Sequence, residues 1–293
     1  MNHELKILEL ADYYEEFAVN DSSAYLIINK NMSDYQCMFG FAQLADNLTD
    51  AELLFDKIET RAKELGYTCL VGPVNYCSWM SYRWAISNYD LKLYPDCTNP
   101  PYYNDIIRNL GYKELYTYRS AVIDMNNPLY YVGEKIYKEK TDEGFEFRLF
   151  LGSEAYSLAR EVFDISVDAF RGSYLYADIP FEYFEQIYLT WTKAIDIVMY
   201  VAYLNGEPVG YVMGYDSPYG DCFISKTSAV KKAYQKNKLY TALLYLGCRH
   251  VRNKGYNDMI YHFQCEQKDI FKRFDSSIES NEKRYAVYIK ELN

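Results

Sequence analysis

Hydrophobic positions in the second half of the chain alternate between strand and helix periods. Residues 223–230 are apolar and β-branched as in a short strand, and leucines spaced by three and four predict a helix over 239–253. Gly255 and Tyr256 end that helix, and another apolar run at 258–263 predicts a second strand. The pattern therefore predicts a strand, a loop, a helix and a strand in succession.

The same half carries further elements on both sides of this unit. They are a strand at 145–150, helices at 153–170 and 181–191, and strands at 197–204 and 207–215. Asn205-Gly206 joins two of these strands and is typical of a tight β-hairpin. The order of elements indicates a mixed α/β domain.

The first half repeats the helix, Gly-Tyr and strand unit. A helix over 50–65, with Asp50 as its expected N-cap, ends at Gly66-Tyr67 before a strand at 68–71. Repetition of one unit indicates an internal duplication. Because the segment between the halves is polar and rich in turn residues, we expect domains at 1–127 and 144–293 joined by a linker at 128–143.

Four lysines occupy the loop before the predicted helix at 239–253. They are Lys231, Lys232, Lys236 and Lys238, in a chain whose net charge is -10. A helix start leaves about four backbone N–H groups without partners, at the positive end of the helix dipole. Such a loop is suited to bind a phosphate group.

The amino-acid composition argues against some classes of function, such as nucleic-acid binding. With 293 residues, of which 49% are hydrophobic and 25% charged, the chain is globular. Its acidic sequence pI of about 5.0 argues against a nucleic-acid partner. We also expect no membrane span and, because the N-terminus lacks a signal-peptide pattern, a cytoplasmic location.

Cysteine and histidine give no sign of a metal site. The 7 cysteines form no CxxC pair, and the 3 histidines do not cluster with other ligand types. We expect reduced, mostly buried thiols and no metal.

Aromatic residues and one arginine cluster in the first half. They are Trp79, Tyr82, Arg83, Tyr102 and Tyr103. They could line a pocket in which the planar guanidinium of Arg83 binds a carboxylate or a phosphate. The alternative, which we favour, is that they form rigid turns and an interdomain packing surface.

Residues 230–240 resemble the acetyl-CoA loop of the GNAT acetyltransferase superfamily. Val230, Tyr234, Gln235 and Leu239 match its pattern, while Lys238 and Tyr240 stand where the family has small residues. The first half resembles the degenerate first domain of tandem GNAT proteins. That similarity rests on Gly72-Pro73, Asn99-Pro100-Pro101-Tyr102-Tyr103 and Gly111-Tyr112.

The resemblance implies an α/β fold, with mixed sheets, made of two tandem GNAT-like domains. It implies an N-acyltransferase that moves an acetyl group from acetyl-CoA, or a related acyl-CoA, to an amine of a small molecule or peptide. The alternative is a catalytically inactive protein of this fold that binds CoA as a ligand or acts as an interaction module. The acceptor and the oligomeric state are not indicated.

Cofactor-binding residues follow from the same resemblance. They are Ser228, Ala229 and Val230 on the strand edge, Gln235, Lys236, Asn237, Lys238, Leu239, Tyr240 and Thr241 in the loop and helix, and Phe271, which stands where the family often has a tyrosine acid. An N–H near Ala229 or Val230 is expected to polarise the thioester carbonyl.

His262 is the candidate catalytic residue. It lies on the strand beside the expected thioester slot, and its unperturbed pKa is near 6.5. The alternative is a histidine packed between strand and helix, since the sequence shows no partner that would orient its ring. We also predict that Tyr285 and Tyr288, three residues apart on a strand, face opposite sides of the sheet.

Overall fold

The computed structural model describes residues 3–125, 129–220, 222–268 and 282–293. The first half contains strands β1 (Tyr13–Val19), β2 (Ser22–Ile28), β3 (Cys37–Gln43), β4 (Cys69–Gly72), β5 (Trp84–Ala85) and β6 (Lys113–Asp124), with helices α1 (Leu48–Glu64), α2 (Tyr102–Asn109) and α3 (Leu129–Asp142). The second half contains β7 (Phe145–Leu151), β8 (Ile197–Leu204), β9 (Glu207–Asp216), β10 (Phe223–Val230), β11 (Asp258–Cys265) and β12 (Lys283–Glu291), with α4 (Ala159–Phe170), α5 (Phe181–Thr192) and α6 (Leu239–Asn253).

The elements predicted from periodicity are present, with two local corrections. The helix predicted over 153–170 starts as a 3₁₀ turn at Gly152–Leu158, and α4 begins only at Ala159. The predicted N-cap at Asp50 is wrong, because Asn47 caps α1 by accepting from the Asp50 backbone N–H. Asp50 instead lies inside the first turn.

The segment expected to be a turn-rich linker, 128–143, is mostly helical. Its helix α3 packs on α6, with the rings of Tyr130 and Tyr137 at 5.0 and 5.6 Å from the ring of Tyr245. Gly133 permits this approach, since a Cβ at that position would lie 2.8 Å from the Cβ of Tyr245. The segment is thus part of the packing of the second half.

The described strands form one 12-stranded mixed sheet. Its order is β1-β2-β3-β4-β12-β6-β11-β10-β9-β8-β7, with the short β5 paired to β12. Parallel pairs join β3 to β4 and β10 to β11, and each pair is connected by one helix, α1 or α6. The β3-α1-β4 and β10-α6-β11 units occupy equivalent places on either side of the sheet centre, as the predicted duplication requires.

The two halves exchange their last described strands. β12, from the second half, pairs with β4, where Tyr288 lies opposite Gly72. β6, from the first half, pairs with β11, where Val122 lies opposite Ile260. β12 and β6 also pair with each other at the centre of the sheet. Each half therefore completes the sheet of the other.

The largest hydrophobic cluster contains residues from both halves. Trp79, which follows β4, lies among the rings of Phe163 and Phe184, and its indole N–H donates to the carbonyl of Ala177 at 2.9 Å. Tyr285 belongs to this cluster and Tyr288 to a different one, so their prediction on opposite faces is confirmed.

Tyr102 and Tyr103 have packing roles. The Tyr102 hydroxyl donates to the Leu44 carbonyl, and the Tyr103 hydroxyl accepts from the Leu44 N–H, both at 2.9 Å. For these two rings, and for Trp79, the interpretation as a packing surface fits the contacts. No helix in the described part of the chain combines the length and the apolar character needed to cross a bilayer.

Candidate functional site

The sheet opens between β10 and β11. Their parallel pairing covers only Phe223–Ser225 against Met259–Tyr261. Beyond it, β10 has a bulge between Ser225 and Thr227, and the register of β11 against β6 shifts after Tyr261. The two strands therefore separate and leave a gap beside the second half of β10.

One edge of β10 faces this gap. The Lys231 N–H donates to the Val209 carbonyl of β9 at 2.9 Å, so main-chain groups at alternate residues point toward β9. By this alternation Ala229 also points toward β9, whereas Ser228 and Val230 point into the gap. Of the two residues predicted to offer an N–H, Val230 fits and Ala229 does not.

The lysine-rich loop adopts a turn that glycine usually provides. Residues Lys232–Asn237 form a 3₁₀ turn, and Lys238 then takes a left-handed conformation with φ of +65° before α6 begins. Lys238 thus takes a backbone shape that glycine adopts most readily. The side chains of Lys236 and Lys238 are exposed.

Two of the loop amides have partners within the loop. The Leu239 N–H donates to Oδ1 of Asn237 at 3.1 Å, and the Thr241 N–H donates to the Lys238 carbonyl at 2.9 Å. Nε2 of Gln235 donates to the Val230 carbonyl at 3.0 Å. The helix start therefore offers fewer open amides than the lysine-rich pattern suggests.

Tyr240, on α6, contacts the tyrosine that bridges the two strands. Its hydroxyl lies 2.5 Å from that of Tyr261 on β11, which in turn lies 3.3 Å from Oγ of Ser228 on β10. Burial raises the pKa of both tyrosines, so they stay neutral at ordinary pH. A chain of hydroxyl groups thus spans the gap where the resemblance places a thioester.

His262 is locked on both ring nitrogens. Nε2 lies 2.8 Å from the carbonyl of Pro95, and Nδ1 lies 2.8 Å from Oγ of Ser120. A carbonyl only accepts, so Nε2 carries the proton, and Nδ1 lies against the serine hydroxyl, which also contacts the Tyr285 hydroxyl at 3.2 Å. Burial lowers the pKa of this imidazole well below its usual range. These contacts favour the interpretation as a packed histidine over a catalytic base.

The neutral state of His262 predicts a pH dependence of stability. Because the folded-state pKa is depressed, the stabilisation is complete above about pH 6.5 and is lost as the pH falls below it, by up to about 1.4 kcal/mol per pH unit. We expect the difference in unfolding free energy between the wild type and His262→Gln to shrink from pH 7 to pH 5 in urea titrations. A difference that stays constant over this range would contradict the assignment.

Two cations, Arg83 and Lys226, meet on the opposite face of β10. The Arg83 guanidinium lies against the rings of Tyr82, Tyr118 and Phe263, with its Cζ at 3.8, 4.4 and 3.9 Å from their centroids. Nζ of Lys226 lies 5.4 Å from the centroid of the same Phe263 ring. Burial away from solvent is the larger cause, and repulsion from Arg83 the smaller one, that lowers the pKa of Lys226 to about 8.

The sequence analysis identified Arg83 as a candidate anion-binding residue but gave Lys226 no role. The feature that could have pointed to Lys226 is its position as a charged residue in a strand of otherwise uncharged residues. Phe271, the remaining predicted site residue, lies outside the described residues. Within the described residues, no group of His, Cys, Asp or Glu is arranged to hold a metal ion.

A family model matches the segment that carries this site. The model of the acetyltransferase (GNAT) family matches residues 159–269, which include the opened strands, the lysine loop and α6. No curated protein gives a significant match to the sequence.

Solved structures resemble the whole chain at low identity. A tandem GNAT protein from the clavulanic acid biosynthesis pathway, without AcCoA, is 12% identical over 93% of this chain and 79% of that one, with a TM-score of 0.51. A GCN5-related N-acetyltransferase from Sphaerobacter thermophilus is 12% identical over 92% and 81%, with a TM-score of 0.48. L-PGS from Bacillus licheniformis is 12% identical over 97% and 86%, with a TM-score of 0.44.

Only the first of these similarities is strong enough to define a fold. Residues 159–269 match the GNAT family model, and the chain as a whole has the fold of a tandem GNAT protein. The predicted fold class and the resemblance to tandem GNAT proteins are confirmed.

Proposed function

We propose that this protein is an acyltransferase that takes an acyl group from an acyl-CoA, such as acetyl-CoA, and transfers it to an amine of a small molecule or peptide. The observation that carries the proposal is the edge of β10 that faces the gap, next to the start of α6, within the range matched by the GNAT family model. The thioester supplies an activated acyl carbon when it is bound.

Several residues fit such a donor. The main-chain groups of Ser228 and Val230 are placed to pair with the amides of a pantetheine arm. Lys236 and Lys238 bring positive charge to the start of α6, where a diphosphate is favoured. The left-handed residue Lys238 is the N-cap of α6.

Tyr240 does not fit the donor in the arrangement that the structure shows. Its hydroxyl is held against that of Tyr261, beside the gap in which a pantetheine arm would lie. If the arm displaces the ring, binding breaks this contact, and the apparent affinity is lower by that cost.

Replacing Tyr240 by glycine is therefore expected to strengthen donor binding. We expect Tyr240→Gly to bind acetyl-CoA at least about tenfold more tightly than the wild type in isothermal titration, since the competing contact is gone. Tyr240→Phe removes the same hydroxyl contact but keeps the ring, so we expect it to give a smaller gain in affinity than the glycine variant. If neither the wild type nor the glycine variant binds acetyl-CoA or CoA, the donor assignment is wrong.

A second candidate is a GNAT-fold protein that binds a ligand or a partner without acyl transfer. The hydroxyl chain across the gap and the locked ring of His262 favour it. Release of free thiol from acetyl-CoA in the presence of a panel of amines distinguishes the two candidates. Transfer predicts release that depends on the amine, whereas simple binding predicts thermal stabilisation without release.

Free cysteines support a cytoplasmic location. The acidic sequence pI of about 5.0 disfavours a nucleic-acid partner.

A further inference from the structure

Two positive side chains, one from each half of the chain, meet beside the opened strands. Arg83 lies in the segment between β4 and β5, and Lys226 lies at the bulge of β10. Both cations contact the ring of Phe263 on β11. Both residues are half-buried.

Within the described residues, neither cation has a counter-charge. Across the residues that the structure describes, no carboxylate pairs with Arg83 or Lys226, and Nη1 of Arg83 is buried without a hydrogen-bond partner. A nearby buried lysine shows the contrast, because Lys283 pairs with Asp96 at 2.7 Å. Arg148, which also stacks on a tyrosine ring, pairs with Glu146 at 2.7 Å.

The surrounding rings do not replace an acceptor. An aromatic face attracts a cation, but it neutralises no charge and accepts no strong hydrogen bond from a guanidinium N–H. Two like charges that share a poorly solvated site repel each other, and an unsatisfied buried donor is unfavourable. An anion bound between Arg83 and Lys226 would offset the repulsion between them and accept a hydrogen bond from the unsatisfied guanidinium N–H.

We propose that Arg83 and Lys226 together bind a carboxylate or phosphate group of a small ligand. The planar guanidinium is suited to pair with two oxygens of such a group, and the ammonium adds a compact charge. Tyr82, Tyr118 and Phe263 then flank the carbon part of the ligand.

The site does not depend on the proposed acyl donor. Tyr240 and Tyr261 lie in the hydrophobic cluster beneath α6, whereas Tyr82 and Tyr118 belong to the cluster shared by the two halves. An anion bound by Arg83 and Lys226 therefore occupies the other face of β10. Its binding can be measured whether or not acetyl-CoA binds.

The direct test is isothermal titration of the full chain with sodium phosphate and, separately, sodium acetate, at pH 7 and constant ionic strength. We expect binding of at least one probe, with an affinity at least tenfold weaker in Arg83→Gln and in Lys226→Gln. The matched control is Arg148→Gln, which removes a stacked but ion-paired arginine and should leave the affinity unchanged. Binding of acetate identifies a carboxylate site, and binding of phosphate alone identifies a phosphate site.

A stability measurement on the anion-free protein is a second readout. If the two charges repel without a counter-charge, Lys226→Met should raise the melting temperature, whereas Arg148→Gln should not. Wild-type binding of neither probe, or equal binding by the wild type and both variants, overturns the proposal. So does a lower melting temperature of Lys226→Met in the absence of anions.

The charge of Lys226 also predicts how binding depends on pH. The groups that face Lys226 are Arg83, the thiol of Cys97 and the neutral ring of His262, and burial raises the pKa of that thiol to about 12. Lys226 is then the group that loses charge near pH 8. We expect anion affinity to fall as the pH rises from 7 to 9.5, and the Lys226→Arg variant to bind nearly equally at both values.

Discussion

A fragment containing residues 1–143 is expected not to fold when it is produced alone. In the whole chain, β12 covers the edge of β4 and one edge of β6, and β11 covers the other edge of β6. The fragment loses both partners, so β4 keeps only its short pairing with β3, and β6 has no partner strand at all. Unpaired edges and an exposed apolar face leave too little burial to offset chain entropy.

Circular dichroism and urea titration of the fragment test this expectation. The fragment should show no cooperative transition, and adding residues 144–293 should restore one. The full chain should unfold in a single transition with coincident probes, because neither half has a complete sheet by itself. A sharp, independent transition of the fragment would show that strand exchange does not couple the halves.

Breaking the buried ion pair between Lys283 and Asp96 is expected to destabilise the protein by about 3–5 kcal/mol. Nζ of Lys283 lies 2.7 Å from Oδ2 of Asp96 and 2.9 Å from the Leu91 carbonyl, and the two side chains are 4% and 6% exposed. Asp96→Ala leaves the ammonium buried without its carboxylate. Urea titration at pH 7 measures the loss of unfolding free energy.

Two controls make this result specific. Asp216→Ala breaks the pair between Lys254 and Asp216, whose side chains are both 41% exposed, and should cost less than about 1 kcal/mol. The double change Asp96→Leu with Lys283→Met removes both charges and should recover much of the loss. A loss below about 1 kcal/mol for Asp96→Ala would show that water reaches the ammonium despite its burial.

Local structure could be predicted from the sequence because its signals are local. The hairpin at Asn205-Gly206 and the stripe of α6 depend on residues within one or two turns of each other. Helix α3 was missed because it follows an Asn-Asn-Pro segment and contains Gly133, although Tyr130 and Tyr137 have helical spacing. That glycine lies against Tyr245 and is required by packing.

Strand pairing and the chemistry of the site could not be predicted in the same way. No local sequence pattern predicts that β12 lies between β4 and β6, because the paired strands are distant in sequence. The sequence did place Tyr240 at an unusual position in the loop, but its contact with Tyr261 depends on how α6 packs over β11. Lys226 meets Arg83 only because the two halves come together.

Strand exchange also determines when the protein can fold during synthesis. The ribosome delivers the first half of a chain well before the second, and domains usually fold in that order. Here β4 and β6 must wait for β12, which is translated long after both of them. The nascent first half therefore exposes strand edges for most of the elongation time, and this makes it a natural client for chaperones that shield such edges.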